Sequence, residues 1–368
     1  MTHSGARFVW LLVLLSCACA SSSTTVTNPE RRTGSFGEPD PVRALSSTAD
    51  APALADPCSA ATGPTVAVNT TSALVAVLAS ATAGTTIRLA DATYSGNFAT
   101  GPHSGSAQQP IAICGSRAAI LNGGSTASGI VLHITQSYWV ISGITIQNGQ
   151  KGVVLDGATH TLLTGIMVAE IGDEGVHFRS NSSDNRLTQS EVRSTGKYQA
   201  GFGEGVYIGS AVSNWGKYTG GAPDRSDRNV VDNNTIADTA AECVDIKEGS
   251  SFGTVAGNRL DGGSISGQNY ADSWIDVKGQ GYTIVNNVGV NASGKMNQGF
   301  QVHVVSTDAG AIPNSGNGNV FSGNAFNLTG SPATAAVWIQ STTTGNIVRC
   351  DNTVTPRSLP LLAAGSCS

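Results

Sequence analysis

Apolar residues recur along this chain in short runs that end in a turn, and the turn is followed by a further short apolar run. In its fullest form the repeated phrase is an apolar strand, then Gly-Asn or Asn-Asn, then another apolar residue. The phrase or a variant of it recurs at residues 185–192, 229–236, 253–260, 282–289, 319–326 and 346–354. Self-similarity of this kind predicts stacked copies of one structural unit rather than a globule with a single closed core.

Asparagine marks the same place in successive repeats. Asn234, Asn258, Asn287 and Asn324 are separated by 24, 29 and 37 residues, so a unit of about two dozen residues is interrupted by loops of different length. This spacing is typical of one coil of a parallel β-helix, an all-β solenoid. Inward asparagines at the bends could hydrogen-bond to their neighbours one coil away and satisfy the turn backbone.

A second strand precedes each asparagine phrase. Its copies are found at residues 175–179, 205–209, 243–247, 274–278, 300–303 and 336–340. Strand side chains alternate between two faces, so Val244, Ile246, Ile275 and Val277 should point into the core. Two outward columns follow: His177, Tyr207, Asp245, Asp276, Gln301 and Trp338, and beside it Arg179, Gly209, Lys247, Lys278, His303 and Gln340.

Like charges are thereby stacked on like charges. Coils lie about 4.8 Å apart, which places Asp245 beside Asp276 and Lys247 beside Lys278 on one exposed sheet. Charges of one sign that face each other across strands are destabilising. Either diagonal Asp–Lys pairs offset the repulsion in a surface ladder, or the chain uses these charges for chemistry.

The overall composition makes this cluster unusual. Charged residues form only 12% of the chain, and 45 glycines point to frequent turns. A hydrophobic content of 40% excludes a disordered chain, while a net charge of −5 gives no reason to expect nucleic acid as a partner. A polyanion could bind only through a local basic patch.

The first residues predict export. Residues 1–20 carry an Arg7 flank, a short apolar run and small residues, which is the pattern of a signal peptide. The stretch that ends at Cys17 resembles a bacterial lipobox, whose cysteine is lipidated, although cleavage near Ala20 would also fit. Residues 21–56 are rich in Ser, Thr and Pro and predict a flexible tether.

One domain is predicted from residue 57 to residue 368. An amphipathic helix at 73–81 should cap the open first coil of the solenoid. Five cysteines fall in this domain, and Cys58 with Cys114 and Cys350 with Cys367 are plausible pairs. Cys243, at the start of a strand, is expected to be a buried thiol. The sequence alone leaves this connectivity open.

Carboxylates near the two charged strands suggest a cation site. Glu242 and Asp272 precede the strands and could join Asp245 and Asp276 in one acidic cluster. Oxygen ligands of this type suit a hard cation, and Ca²⁺ is the candidate.

Two long insertions, 210–228 and 304–318, should wall a groove along the charged face. Aromatic residues could stack on sugar rings: Tyr198, Tyr207, Trp215, Tyr218 and Trp338. Basic residues could hold the carboxylates of an acidic polymer: Arg179, Arg193, Lys197, Lys217 and Arg225. Together with His177 and Gln301 in the outward column, they outline an elongated site for an anionic glycan.

Four segments carry a family resemblance: 83–98, 109–124, 137–153 and 203–210. Over most of the domain the chain resembles the pectate-lyase-like right-handed parallel β-helix proteins. Within that group it is similar to the polysaccharide lyases that include family nine pectate lyases and chondroitinase B-type enzymes. The resemblance implies cleavage of uronate polymers by β-elimination, with Ca²⁺ held by clustered acids and a lysine as the base.

Such an elimination needs a neutralised C6 carboxylate and a base near the C5 proton. Ca²⁺ on the four carboxylates would supply the first. Lys247 is the favoured base, with a pKa expected to be lowered by the nearby cations, and Lys278 is a carboxylate clamp or alternate base. His303 is a further candidate acid or base. The Glu-x-Glu pair of chondroitinase B-type enzymes, followed five residues later by lysine, is replaced here by Glu242-x-x-Asp245.

Two other functions fit the same residues. A glycoside hydrolase could use Asp245 and Asp276 as its two carboxyl groups, because neighbouring coils place them near the roughly 5 Å of retaining enzymes. A non-catalytic surface protein could bind a glycan in the groove, and fold alone does not choose between these functions. In each case we expect a monomer without a nucleic acid partner.

Overall fold

The computed structural model describes Cys58 and residues 62–368. The predicted signal peptide, the lipidation of Cys17 and the tether lie outside the described residues. Within the described part, no helix has the length and apolar character needed to cross a membrane.

Three long sheets of parallel strands form the molecule, and the chain visits them in turn as it winds. Sheet 1 has eleven strands: Thr65–Val68, Thr86–Leu89, Ile111–Cys114, Trp139–Ser142, Leu162–Thr164, Arg186–Thr188, Val230–Asp232, Thr254–Ala256, Thr283–Val285, Val320–Ser322 and Ile347–Val348. Sheet 2 has ten: Thr93–Ser95, Ile120–Asn122, Thr145–Gln147, Met167–Ala169, Glu191–Arg193, Thr235–Ala237, Arg259–Asp261, Val288–Val290, Ala325–Asn327 and Thr353–Thr355.

Sheet 3 carries the charged columns. Its nine strands are Phe98–Ala99, Ile130–Ile134, Lys151–Asp156, Val176–Arg179, Val206–Ile208, Val244–Ile246, Ile275–Val277, Gln298–Val302 and Ala335–Ile339. A small hairpin pairs Ser306–Thr307 with Gly310–Ala311, inside the second long insertion. The architecture is the predicted right-handed parallel β-helix.

The repeated Gly-Asn and Asn-Asn phrases mark the bend between sheets 1 and 2. The first residue of each phrase has a left-handed backbone, with φ of 55° at Asn233, 64° at Gly257, 56° at Asn286 and 65° at Gly323. Glycine reaches this region without penalty and asparagine tolerates it better than most residues. The sequence alternates Gly and Asn at this position because the bend requires that conformation.

The second residue of each phrase builds an asparagine ladder, consisting of Asn234, Asn258, Asn287, Asn324 and Asn352. At Asn258 the Oδ1 atom accepts from the backbone N (3.0 Å) and Nδ2 (3.0 Å) of Asn234. Its own Nδ2 donates to the carbonyl of Val231 (2.8 Å) and to Oδ1 of Asn287 (2.9 Å). All four hydrogen-bonding positions are filled in a side chain that is buried, which confirms the role predicted from spacing.

The interior is closed at its first coil by a helix at Thr71–Ser80. The hydroxyl of Thr70 caps it by accepting from the backbone N of Ala73 at 3.2 Å. Leu74, Val77 and Leu78 are buried against the coil below. A second, four-residue helix at Trp215–Tyr218 and 3₁₀ turns at Ala200–Phe202, Val212–Asn214 and Gln268–Tyr270 lie in the insertions beside sheet 3.

Both suggested cysteine pairs are disulfides in the structure. Cys58 bonds Cys114 near the first coils, and Cys350 bonds Cys367 near the last. Cys243 is a buried free thiol, as expected.

Candidate active site

The register of sheet 3 brings the predicted charges side by side. Val206 pairs with Val244 and Val244 with Ile275, so Tyr207, Asp245 and Asp276 follow one another on successive coils. Gln301 continues the column after Asp276. The two charged pentapeptides therefore occupy neighbouring coils in register, as the sequence predicts.

The expectation of an open, solvent-facing wall is wrong. Asp245 is only 2% exposed and Asp276 only 7%, and both are paired with neighbouring lysines. They form part of the lining of a cavity of about 590 Å³, together with Lys247, Lys278 and His303. The charged column is thus the floor of a pocket.

Lysines offset the stacked aspartates. Lys247 Nζ lies 2.6 Å from Asp245 Oδ2, and Lys278 Nζ lies 3.0 Å from Asp245 Oδ1 while also pairing with Asp276. Burial alone would lower the pKa of each lysine, but the charge of Asp245 raises both pKa values above the ordinary value of 10.5. A lowered lysine pKa was expected from the sequence, but the surrounding protein groups raise it.

The carboxylate cluster differs from the predicted set. Glu204, Glu242 and Asp245 offer oxygen atoms within 4.8 Å of one another, and all three side chains are buried. Asp272 lies outside this group, because the strand register aligns Ser273 with Glu242. The Asp272 carboxylate instead accepts from Gln301 Nε2 at 2.6 Å and from Asn297.

Asp276 also lies outside the three-carboxylate cluster. It bonds Lys278 and has its Oδ1 atom 3.6 Å from Nε2 of His303. Only Glu242 and Asp245 of the four predicted metal ligands therefore fall in the cluster, and Glu204 replaces the other two. A sequence signal for Glu204 exists: Glu174, Glu204 and Glu242 each stand two residues before the first inward valine of their strand.

Neighbouring groups do not fully compensate the negative charge that this cluster would have if all its carboxyl groups were ionised. Burial, and then the charges of Glu174 and Asp245, raise the pKa of Glu204 to about 8. Burial and the charge of Asp245 likewise raise the pKa of Glu242 well above its usual range. Glu204 Oε2 is buried without a hydrogen-bond partner among the described residues. Carboxylate oxygens that are buried and incompletely paired can bind a proton or a hard cation.

Tyr207 lines a second cavity of about 440 Å³ together with Lys151, His177 and Lys217. Lys247 Nζ is 4.9 Å from the centroid of the Tyr207 ring. Burial, and then the charge of Asp245, raise the pKa of Tyr207 well above 10.0, so its hydroxyl keeps its proton. No described residue hydrogen-bonds that hydroxyl.

His177 supports Tyr207 from the previous coil. Its Nε2 donates to the carbonyl of Gly209 at 2.9 Å, and its Nδ1 faces Glu174 at 3.5 Å. The two rings meet edge to face, with centroids 4.5 Å apart. His177 is only 4% exposed and packs against Tyr207, and both side chains line the second cavity.

The far end of the cavity contains three of the predicted residues. His303 donates from Nε2 to Oε1 of Gln301 at 2.8 Å, and its ring lies 4.9 Å from that of Trp338. Trp338 and Gln301 line a further hollow that also contains Thr334. His303 and Trp338 are half-buried and remain accessible from the groove, whereas Gln301 is buried and hydrogen-bonded to Asp272 and His303.

Arg179 and Trp215 have structural contacts that were not expected. Arg179 forms two hydrogen bonds with Asp156, at 2.7 and 3.0 Å, and stacks 4.3 Å from the ring centroid of Tyr218. Trp215 is 6% exposed and donates from its indole to the carbonyl of Ser210 at 2.9 Å. Both residues hold the 210–228 insertion in place and are not open to the groove in this structure.

The same insertion is anchored by a buried carboxylate. Asp224 accepts from the backbone N atoms of Ser180 (3.0 Å) and Asn181 (2.8 Å) and from the hydroxyl of Ser210. The insertion can therefore position Lys217 and Tyr218 beside the second cavity.

The hydrolase alternative needs a protonated carboxylic acid. Burial would raise the pKa of Asp245, but Lys247 and Lys278 outweigh burial and lower it. Asp245 is therefore unsuited to act as the general acid of a glycosidase.

Similarity to known proteins was found among solved structures. No protein-family model and no curated protein sequence matches the chain. Among solved structures, an alginate lyase from Paenibacillus sp. strain FPU-7 is 36% identical, with a TM-score of 0.75, over 83% of this chain and 99% of that one.

Two more distant structures share the fold. The pectate lyase Pel9A is 15% identical, with a TM-score of 0.52, over 73% of this chain and 72% of that one. A mutant of the PL6-family alginate lyase AlyGC is 18% identical, with a TM-score of 0.55, over 79% of this chain but only 38% of that one. The chain belongs to the pectate-lyase-like parallel β-helix family of polysaccharide lyases.

Proposed function

We propose that this protein is an exported lyase that cleaves a uronate-containing polysaccharide by β-elimination, with alginate as the first candidate substrate. The observation that carries the proposal is the placement of Lys247 beside Tyr207 and above the Glu204–Glu242–Asp245 cluster. The 36% identity to an alginate lyase over almost all of that enzyme supports the same reaction class.

Lys247 is proposed as the base that removes the C5 proton. It has one carboxylate partner, Asp245, whereas Lys278 is paired with both Asp245 and Asp276. Lys278 is thus better placed to remain a cation that clamps the uronate carboxylate, and it stays the alternate base. A base must be neutral to accept a proton, so substrate or cation binding has to weaken the hold of Asp245 on Lys247.

Tyr207 is proposed as the acid that protonates the leaving glycosidic oxygen. Its raised pKa keeps the hydroxyl protonated, and its position next to Lys247 suits a reaction in which one group takes a proton and its neighbour gives one. His303, Gln301 and Trp338 would bind the sugar on the next coil. His303 is kept as a further candidate acid or base.

Ca²⁺ is proposed as the cofactor. Glu204, Glu242 and Asp245 would hold it, since they supply oxygen ligands and include a buried oxygen without a partner. When bound, the cation would polarise the uronate carboxylate and oppose the charge of Asp245. Lys278 and Tyr207 would still orient the substrate from the protein side.

The localisation belongs to the same proposal. The signal-peptide pattern at residues 1–20 supports export, and Cys17 is the candidate lipid anchor of a cell-surface enzyme. An extracellular polymer is a suitable substrate for such a protein, and the two disulfides fit an oxidising compartment. We propose a monomer, because one chain contains every group used above.

A panel of alginate, pectate and glycosaminoglycans tests the function. A lyase creates an unsaturated sugar end that absorbs in the ultraviolet, and we expect this absorbance to grow with at least alginate. Release of reducing ends without the chromophore would show a hydrolase instead. Binding without either product would show the non-catalytic glycan-binding protein.

A further inference from the structure

An aromatic side chain lies at the mouth of the catalytic cavity with no packing of its own. Tyr270 is 89% exposed, the highest value among the large hydrophobic residues described. Its backbone φ is 64°, and that of the preceding Asn269 is 55°. A tyrosine in the left-handed region is strained.

The loop that bears Tyr270 is fixed to a second loop. Asn269 donates from Nδ2 to the carbonyl of Gly201 at 2.9 Å. A Cβ atom at Gly201 would lie 2.8 Å from the Cβ of Asn269, so glycine is needed for this close approach. The second loop exposes Phe202, at 49%, and Tyr198, at 54%.

Each of the two loops lines one of the two cavities. Asn269 and Tyr270 line the cavity that contains Lys247, while Phe202 lines the neighbouring cavity that contains Tyr207. Exposed apolar groups that are continuous with a polar groove are typical of a binding surface. We propose that Tyr270 and Phe202 form an aromatic platform that binds uronate rings beyond the reacting bond and favours long chains over short oligosaccharides.

The chemistry of the ligand agrees with the placement. A pyranose ring carries C–H groups on its faces and polar groups around its edge, so an aromatic ring can cover one face while the charged groove holds the carboxylates. Asn269 keeps Tyr270 in its strained conformation before the polymer arrives, which reduces the ordering required on binding. This inference rests on the proposed function and extends it to the parts of the substrate that do not react.

Steady-state kinetics on alginate and on a short uronate oligosaccharide test the platform. In Tyr270→Ala we expect the KM for the polymer to rise about fivefold to tenfold, with kcat within twofold and the KM for the short substrate unchanged. Tyr270→Phe should keep the affinity, because it keeps the ring. Tyr270→Gly should lose affinity yet melt no lower than the wild type, because glycine relieves the positive φ.

Phe252→Ala is the matched control, since Phe252 is also exposed (61%) with φ of 59° but does not line either cavity. Its KM should stay at the wild-type value. Affinity electrophoresis in gels that contain alginate measures binding separately from turnover. Equal retardation of wild type and Tyr270→Ala overturns the platform, as does an unretarded wild type. Failure of the lyase proposal is instead seen as an absence of ultraviolet-absorbing product.

Discussion

Two columns of buried polar side chains run along this solenoid, and they differ in how completely their groups are paired. In the asparagine ladder, Asn258 uses every donor and acceptor of its amide. In the carboxylate cluster, Glu204 retains a buried oxygen without a described partner, and its pKa is raised to about 8. Both columns arise from the same repeat and have the same coil spacing.

The difference lies in the chemistry of the side chains. An amide has a donor and an acceptor, so identical amides satisfy each other in a stack of any length. A carboxylate only accepts, so stacked carboxylates repel and need a cation or a proton from elsewhere. We infer that the ladder stabilises the coil and that the carboxylate cluster, with Lys247 and Lys278 beside it, is retained for function.

Removing the lysine should give the largest effect. Lys247→Ala should lower turnover by about 10³-fold, in the range that a general base supplies, and should also lower the melting temperature, because the buried Asp245 then keeps only Lys278 as its lysine partner. Ultraviolet absorbance of the product measures the rate. The control is Lys295→Ala at an exposed position, which should keep full activity. Normal turnover in Lys247→Ala would remove this residue from the mechanism.

The ladder should respond in the opposite way. Asn258→Ala leaves buried partners on Asn234, Asn287 and Val231 unsatisfied, and should reduce the free energy of unfolding by about 3 kcal/mol. Denaturant titration measures the loss. Asn327→Ala, at an exposed strand end, should change it by less than about 0.5 kcal/mol. Equal effects at the two sites would contradict the role given to the ladder.

Calcium should stabilise the folded protein, and this effect should depend on the carboxylate cluster and not on the asparagine ladder. At free Ca²⁺ about 100-fold above its Kd, the gain in the free energy of unfolding is about 2.7 kcal/mol. Thermal melts with Ca²⁺ and with chelator should differ by several degrees in the wild type and in Asn327→Ala. The shift should vanish in the double variant Glu204→Gln with Glu242→Gln. A shift that persists in that variant would place the cation elsewhere.

The smallest expected change is the one over a single pH unit, measured in chelator. The folded chain keeps a proton on Glu204 up to a pKa of about 8, whereas the ordinary value is 4.5. The folded state therefore binds more protons between these values, and the free energy of unfolding should fall as pH rises through this window, by at most about 1.4 kcal/mol per pH unit. Glu204→Gln should flatten the slope in denaturant titrations at several pH values. An unchanged slope would show that Glu204 is ionised throughout.

Sequence periodicity was sufficient to predict the repeated architecture. The register of Asp245 with Asp276 and the asparagine ladder are confirmed, because both depend on alternation within strands and spacing between coils. The position of Glu204 was not predicted, although its offset from the strand matches that of Glu242. Asp272 was wrongly predicted to lie in the cluster. It precedes its strand as Glu242 does, but its register differs by one residue, which nearness along the chain does not reveal.

The burial of the site could not be read from the repeat either. The cavity that contains Asp245 is walled by the start of the 304–318 insertion and by the loop that bears Tyr270, and neither has a period that would predict its path. Trp215 and Arg179 illustrate the same limit. Each is an ordinary candidate for sugar binding in the sequence, but in the structure Trp215 packs within the 210–228 insertion and Arg179 bonds Asp156 and stacks on Tyr218.

By itself, the sequence determined the coil, its inward and outward columns and the neighbours of each charge, because local alternation and repeat spacing are properties of the chain. Tertiary structure alone decided which carboxylates come within 4.8 Å of one another, which lysine is doubly paired and which aromatic residues face the groove. Those features depend on how loops of unequal length fold back over the sheet, and on the burial that raises or lowers the pKa values of the groups beneath them.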